Sequence, residues 1–201
     1  MAQLLLASAN PGKLEEMRAL LEDLPIELVT PAQLGIHIEI EESGNTYAHN
    51  AAIKAQTYAQ LAGLLSLGDD SGLEVEALGG LPGIHSKRFS TKPGTTDADR
   101  RATLLEKLAG NPRPWLARFR CTVALATPGG ELHIIEGECS GEIIPEERGQ
   151  NGFGYDPIFL FPDIGMTMAE LPTRVKNRLS HRGRAIQASR PILTKLISRI
   201  E

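Results

Sequence analysis

Four apolar residues, Leu4-Leu5-Leu6-Ala7, are cut off by Ser8-Ala9-Asn10-Pro11-Gly12, and this punctuation limits the possible folds more than any other feature of the chain. An apolar run so short, ended by proline and glycine, suits a buried strand entering a tight turn. The period then changes. From Lys13 onward, Leu14, Met17, Leu20, Leu21 and Leu24 recur at helical spacing until Pro25 closes the helix, and a second strand is predicted over 27–30.

The same grammar continues. After a glycine-containing loop, Thr46 can cap a helix running to about residue 62, with Tyr47, Ala51, Ile53, Ala55, Tyr58 and Leu61 available for packing. Thr46, Asn50 and Lys54 fall at i, i+4 and i+8 there, which points three polar groups in one direction. The apolar run 64–68 stops at Asp69-Asp70-Ser71-Gly72. A helix is predicted over 97–108, then strands over 115–127 and 131–140 joined by Pro128-Gly129-Gly130 as a long antiparallel ribbon. The last third offers a glycine-rich loop at 149–156, a strand at 157–161, and a helical stretch from about 180 that Pro191 interrupts or kinks. No repeat, low-complexity tract or linker breaks the chain. The order predicts an α/β fold with a mixed sheet, and 201 residues with 41% apolar content suffice for one domain over 1–201.

Composition narrows the function. With a net charge of -4 and only 4% aromatic residues, the chain lacks the basic footprint and stacking platform of a nucleic-acid binder. No run approaches the roughly 18 apolar residues a membrane span needs, and the start lacks a signal-peptide pattern, so no membrane partner and a cytoplasmic location are expected. Cys121 and Cys139 lie in the ribbon without CxxC spacing and read as reduced core residues.

Several segments can carry chemistry. Ser8, Ala9, Asn10, Pro11, Gly12 and Lys13 form a strand-to-helix turn where free backbone N–H groups, the helix dipole and a lysine converge, which suits a phosphate but equally suits an ordinary turn with an exposed lysine. It does not match GxxxxGK[ST]. Two acidic pairs, Glu41-Glu42 and Asp69-Asp70, offer hard oxygens without cysteine or histidine company, a donor set for magnesium or manganese. The second pair ends an apolar strand, where ligands gather in open α/β sheets, though Asp-Asp-Ser-Gly also fits a tight turn. The loop holding Phe153, Gly154, Tyr155 and Asp156 sets two aromatics and a carboxylate among glycines. Either ring could stack on a base, and Tyr155 leans toward capping the core. Lys176 and Ser180-His181-Arg182-Gly183 bring cations and a histidine to a predicted helix start, suited to phosphate or a purine carbonyl, or to a solvated surface. His37, His49, His85 and His133 show no usable partner pattern.

Taken together, SANPGK at 8–13, EESGNTYAHNAAIKA at 41–55, DDSGLEVEALGGLPGIHSKRF at 69–89, GFGYDPIF at 152–159 and SHRG at 180–183 closely resemble the Ham1/RdgB family of inosine and xanthosine triphosphate pyrophosphatases. The matches span nearly the whole chain. The resemblance implies an elongated, two-lobed α/β fold with a nucleotide cleft between lobes, and a homodimer. It implies a purine nucleoside triphosphate substrate, cut to monophosphate and pyrophosphate with Mg2+, or Mn2+ as a substitute, so that non-standard purines are kept out of DNA and RNA. By the same resemblance, residues 8–13 and Lys54 hold phosphates, Glu41 and Asp70 hold the metal, and Asp70 is the catalytic base. Ser71 and Lys176 touch substrate, while Phe153, Gly154, Tyr155, Asp156, His181 and Arg182 form the base pocket. Three positions depart from the family pattern: His49 where glutamate is common, Ser8 where threonine is frequent, and His85 where tyrosine is often found. Two rival readings are a Maf-type pyrophosphatase of other base preference, against which the SHR and FGYD segments argue, and a non-catalytic nucleotide-binding module.

Overall fold

A computed structural model describes residues 2–199. The first apolar run forms β1 (Ala2–Leu6), and the turn after it opens α1 (Pro11–Leu21), where the Asn10 side chain accepts the Lys13 N–H as N-cap. Pro11 sits at the first helical position, where its missing N–H has no intrahelical partner to lose. β2 (Ile26–Val29) and β3 (Leu65–Val75) both pair with β1 in parallel. Between them runs α2 (Tyr47–Ala62), capped by Thr46, whose side chain accepts from the His49 N–H, and stopped by Gly63 at φ 67°. Its buried stripe is Tyr47, Ala51, Ala55, Tyr58 and Ala59. Leu61 falls off that stripe and is 56% exposed, against the packing role expected for it.

β3 departs from the expectation of a strand ending at residue 68. It continues straight through Asp69, Asp70, Ser71 and Gly72, so the acidic pair lies in mid-strand and not in a turn. The polarity that reads as a turn is paired internally, and Leu73 and Val75 beyond it are fully buried and hold the extended path.

α3 (Asp97–Leu108) begins with a reciprocal capping box between Thr96 and Asp99. β4 (Trp115–Ala126) and β5 (Leu132–Ile143) are joined by the turn in which the Thr127 N–H bonds the Glu131 carbonyl, a connection too short for anything but an antiparallel pair. β6 (Phe159–Phe161) and β7 (Met166–Thr167) extend the sheet antiparallel from β5. α4 (Thr173–Leu179), absent from the sequence reading, precedes α5 (His181–Ile197). α5 runs unbroken through Pro191, because Ala185, Ile186, Leu193 and Leu196 on either side are buried in one core and tertiary packing overrides the local preference. The result is a mixed seven-stranded sheet of order β2-β1-β3-β4-β5-β6-β7 with flanking helices, the α/β class expected. No described helix is long and apolar enough to cross a membrane.

The chain divides into two compact units. Unit 1 holds residues 1–70, 121–137 and 182–201, and unit 2 holds 71–120 and 138–181. In unit 1, the alternating residues Leu4 and Leu6, Leu65 and Leu67, and Cys121, Val123 and Leu125 make one sheet face, covered by Met17 and Leu21 of α1 and by the apolar side of α5. On the other face, Ala51, Ala55 and Ala59 of α2 lie against Ala124 and Ala126. Unit 2 has its own core of Leu73, Val75, Leu104, Leu108, Trp115, Phe119, Phe159 and Phe161. Cys121 and Cys139 form no disulfide, as expected, and both are buried.

α2 approaches β3 most closely at Gly68. A Cβ there would stand 2.6 Å from the Ala51 carbonyl oxygen and 2.9 Å from the Ala55 nitrogen. Gly68→Ala is therefore expected to push α2 off the sheet and lower stability by about 2 kcal/mol, measured by urea unfolding, and to reduce activity by displacing Asn50 and Lys54.

Candidate active site

Side chains alternate faces along a strand, so the consecutive Asp69 and Asp70 of β3 point opposite ways. Asp70 shares a parity with Gly68, against which α2 lies, and its Oδ2 accepts a 3.0 Å bond from Asn50 Nδ2. Asn50 is itself buried, and its Oδ1 accepts the Gly44 N–H at 2.9 Å, which ties the preceding loop to the same place. One helical turn further along α2, Lys54 Nζ donates to Glu42 Oε1 at 2.8 Å and stands 3.9 Å from Asp70 Oδ1. Burial pushes the Asp70 carboxyl above its ordinary range, with the Glu42 charge adding to the rise. Burial works against the Lys54 charge, but Asp69, Asp70 and Glu42 outweigh it and raise its proton affinity.

Asp69 serves the opposite face. Its Oδ2 receives Lys13 Nζ at 3.2 Å, and Arg182 Nε and Nη2 at 3.2 and 3.0 Å. Arg182 Nη1 also donates to Glu16 of α1, so one fully buried guanidinium joins β3, α1 and the start of α5. Burial alone would raise the Asp69 carboxyl; the charges of Lys13, Arg182 and Lys54, with the Arg182 hydrogen bonds, hold it far below the usual carboxylate range. Its Oδ1 is buried with no hydrogen-bond partner among the described residues.

The sequence-predicted residues of unit 1 thus separate into two sets. Asp70 and Lys54 meet on one side of the sheet. Lys13 and Arg182, expected at phosphate and base, are held by Asp69 on the other. Glu41 is exposed, and it is its neighbour Glu42 that reaches Lys54. In the turn, Ser8 Oγ accepts the Asn10 N–H, Asn10 caps α1, Ala9 and Pro11 are exposed, and Gly12 is part-buried. Asn50, Glu42, Asp69 and Glu16 were not singled out as site residues. The i, i+4 pairing of Asn50 with Lys54 and the acidic pairs that contain Glu42 and Asp69 were the available signals.

Unit 2 gathers the other set. Asp156 Oδ2 accepts the Phe153 N–H at 2.9 Å and Lys176 Nζ at 2.6 Å, an ion pair buried at both ends. The Lys176 ammonium lies 5.3 Å from the centre of the part-exposed Phe153 ring. Tyr155 is buried and donates to the Ser86 carbonyl, the core-capping role toward which it leaned. His181 stacks on Phe119 with ring centres 4.6 Å apart. Ser71 lies part-buried in β3. His49 and His85 are exposed, and no cluster of three or more His, Cys, Asp or Glu suited to a metal occurs among the described residues.

The Ham1 family model matches residues 4–192, and the chain belongs to that family. It is 45% identical to the dITP/XTP pyrophosphatase of Desulforamulus reducens, over 96% of each chain, and 41% identical to that of Listeria innocua, over 100% of this chain and 98% of the relative. Among solved structures, the HAM1 protein of Coxiella burnetii superposes with a TM-score of 0.87 at 42% identity, covering 97% of this chain and 100% of the other.

Because Asp69 is shared by two cations, Asp69→Asn strands buried charge and is expected to lower stability by about 3 kcal/mol. The folded carboxyl lies below the unfolded value of 3.8, so the contribution of Asp69 is complete above that value and drains away as pH falls beneath it. Unfolding curves should therefore converge for wild type and variant in strong acid and separate near neutrality.

Proposed function

We propose that this chain hydrolyses non-canonical purine nucleoside triphosphates, ITP, dITP and XTP, to the monophosphate and pyrophosphate, removing them from the pool used for DNA and RNA. The observation that carries the reading is the Asp70–Asn50–Lys54–Glu42 cluster in a chain of the Ham1 family, with relatives named for this activity. We propose further that residues 1–201 act as one catalytic domain, as a homodimer in the cytoplasm, with no nucleic acid partner.

Asp70 is the proposed base for the attacking water. Asn50 donates to its Oδ2 and so fixes the orientation of the carboxylate that would take a proton from the water. Lys54 offers charge to the triphosphate, and the N–H groups at the start of α1 would offer donors to its phosphates; Lys13, paired with Asp69, would reach them only by leaving that carboxylate. Asp70 and Glu42, with Glu41 beside them, would hold a divalent ion. The fit rests on two carboxylates brought to one ammonium, an all-oxygen donor set of the kind magnesium and manganese accept. When bound, such an ion neutralises charge on the phosphates and on the leaving pyrophosphate. In unit 2, Phe153, Gly154, Tyr155, Asp156, Lys176 and His181, with Ser71, are assigned to the base and its neighbourhood. The part-exposed Phe153 ring would stack, and the fixed Lys176 ammonium favours a 6-oxo over a 6-amino group. Arg182 would contribute by anchoring the start of α5 through Asp69 and Glu16.

Asp70→Asn is expected to cut pyrophosphate release from ITP by about 1000-fold with the circular dichroism spectrum unchanged. Near-normal turnover would remove Asp70 from the base role. Glu42→Gln should raise the magnesium concentration for half-maximal rate by at least about tenfold, while Glu41→Gln shifts it little. The reverse order would assign the ion to Glu41.

A further inference from the structure

The glycine-rich loop 149–156 of unit 2 is held in part by groups outside it. Gly152 and Gly154 have φ values of 76° and 63°, in the left-handed region, and a Cβ at Gly152 would stand 2.1 Å from Asp156 Oδ2 and 2.6 Å from Lys176 Nζ. The loop therefore wraps its backbone directly over the Asp156–Lys176 pair, which requires glycine at 152, while Gly154 has no side chain of its own to anchor it. Both polar groups of the Gly154 peptide are instead taken by α3. The Gly154 N–H donates to Asp97 Oδ2 at 2.8 Å, and the Gly154 carbonyl accepts Arg101 Nη1 at 2.8 Å.

Each clamp is secured in turn. Arg101 Nε and Nη2 make a two-pronged pair with Glu147 at 2.7 and 2.8 Å, which fixes the guanidinium plane and aims its remaining donor at the carbonyl. Asp97 is paired with Arg100 one turn on. Burial pushes the Asp97 carboxyl up, but the Gly154 N–H and Arg100 prevail and keep it ionised as an acceptor. Asp97 and Arg101 lie four residues apart on one face of α3, and their bonds reach across 57 and 53 residues of sequence to the same glycine.

We infer that Asp97 and Arg101 are positioning residues for substrate selection: by gripping Gly154 from both sides they hold the adjacent Phe153 ring over the Lys176 ammonium. This rests on the proposed function, since it takes the loop as the part of the molecule that meets the base. Neither residue touches the reacting atoms. Their effect is on where the stacking ring sits, and it should be read in KM and in base preference rather than in the chemical step.

The test compares Arg101→Met and Arg101→Lys with Thr96→Ala, which removes the α3 cap without touching Gly154. Pyrophosphate release from ITP and ATP is followed with magnesium present, and melting temperature is recorded for each protein. Arg101→Met is expected to raise KM for ITP by about tenfold at nearly unchanged kcat and to shrink the ITP-over-ATP preference by a similar factor, as the loss of one charge-assisted hydrogen bond would. Arg101→Lys should recover part of both, and Thr96→Ala should lower the melting temperature while leaving preference intact. If Arg101→Met keeps wild-type KM and preference, or if Thr96→Ala shifts preference equally, the positioning role is overturned. Should Arg101→Met fail to fold, Arg101→Lys decides by the same KM and preference. A wild-type protein without preference for ITP over ATP would defeat the proposed function instead, a result visible before any variant is made.

Discussion

Two aspartates in consecutive positions of an extended strand cannot share a ligand, because the strand sends successive side chains to opposite faces. That geometric fact organises unit 1. Asp69 turns toward α1 and α5 and becomes the anion on which Lys13 and Arg182 are fixed. Asp70 turns toward α2 and meets Asn50 and Lys54. The close approach of α2 at Gly68 is part of the same arrangement, since a helix held farther out would not bring an asparagine amide to 3.0 Å from a strand carboxylate.

The division gives each charged residue a different energetic role. Asp69 is fully buried and stays ionised because several cations offset its desolvation. It acts as a rivet between a strand and two helices. Asp70 accepts the Asn50 amide with the Lys54 ammonium 3.9 Å away, and burial raises its proton affinity where the cations around Asp69 lower that of Asp69.

Much of this was legible before any coordinates. The bounds of α2 and α3 follow from Thr46, Gly63 and Thr96, because caps are local chemistry written in single residues. The α/β class followed from the alternation of short apolar runs with helical periods, and family membership in turn set aside the Maf-type rival. What failed had a common cause. Asp-Asp-Ser-Gly has the composition of a turn, yet it is strand, because its polarity is satisfied by residues 20 to 113 positions away in sequence. Lys13 and Arg182 were expected at phosphate and base, and their pairing with Asp69 is equally a contact between segments distant in sequence. Glu42 could not be separated from Glu41 by pattern, since only the path of an irregular loop decides which of two adjacent carboxylates turns toward Lys54.

Charge also explains why a divalent ion belongs in the proposed reaction. The ion pairs around Asp69 and Asp70 join three cations, Lys13, Lys54 and Arg182, to four carboxylates, Glu16, Glu42, Asp69 and Asp70. The group is negative by one charge, and each cation already has an anionic partner. A triphosphate tail would be repelled by such an assembly or would have to strip a lysine from its carboxylate, at a cost that grows as the site is desolvated. In the proposed reaction, Asp70 and Glu42 would hold one doubly charged ion whose charge would reverse the sign of the group and lessen the hold of the carboxylates on Lys54. Metal and substrate would then bind with positive coupling, since each would supply the countercharge that the other needs.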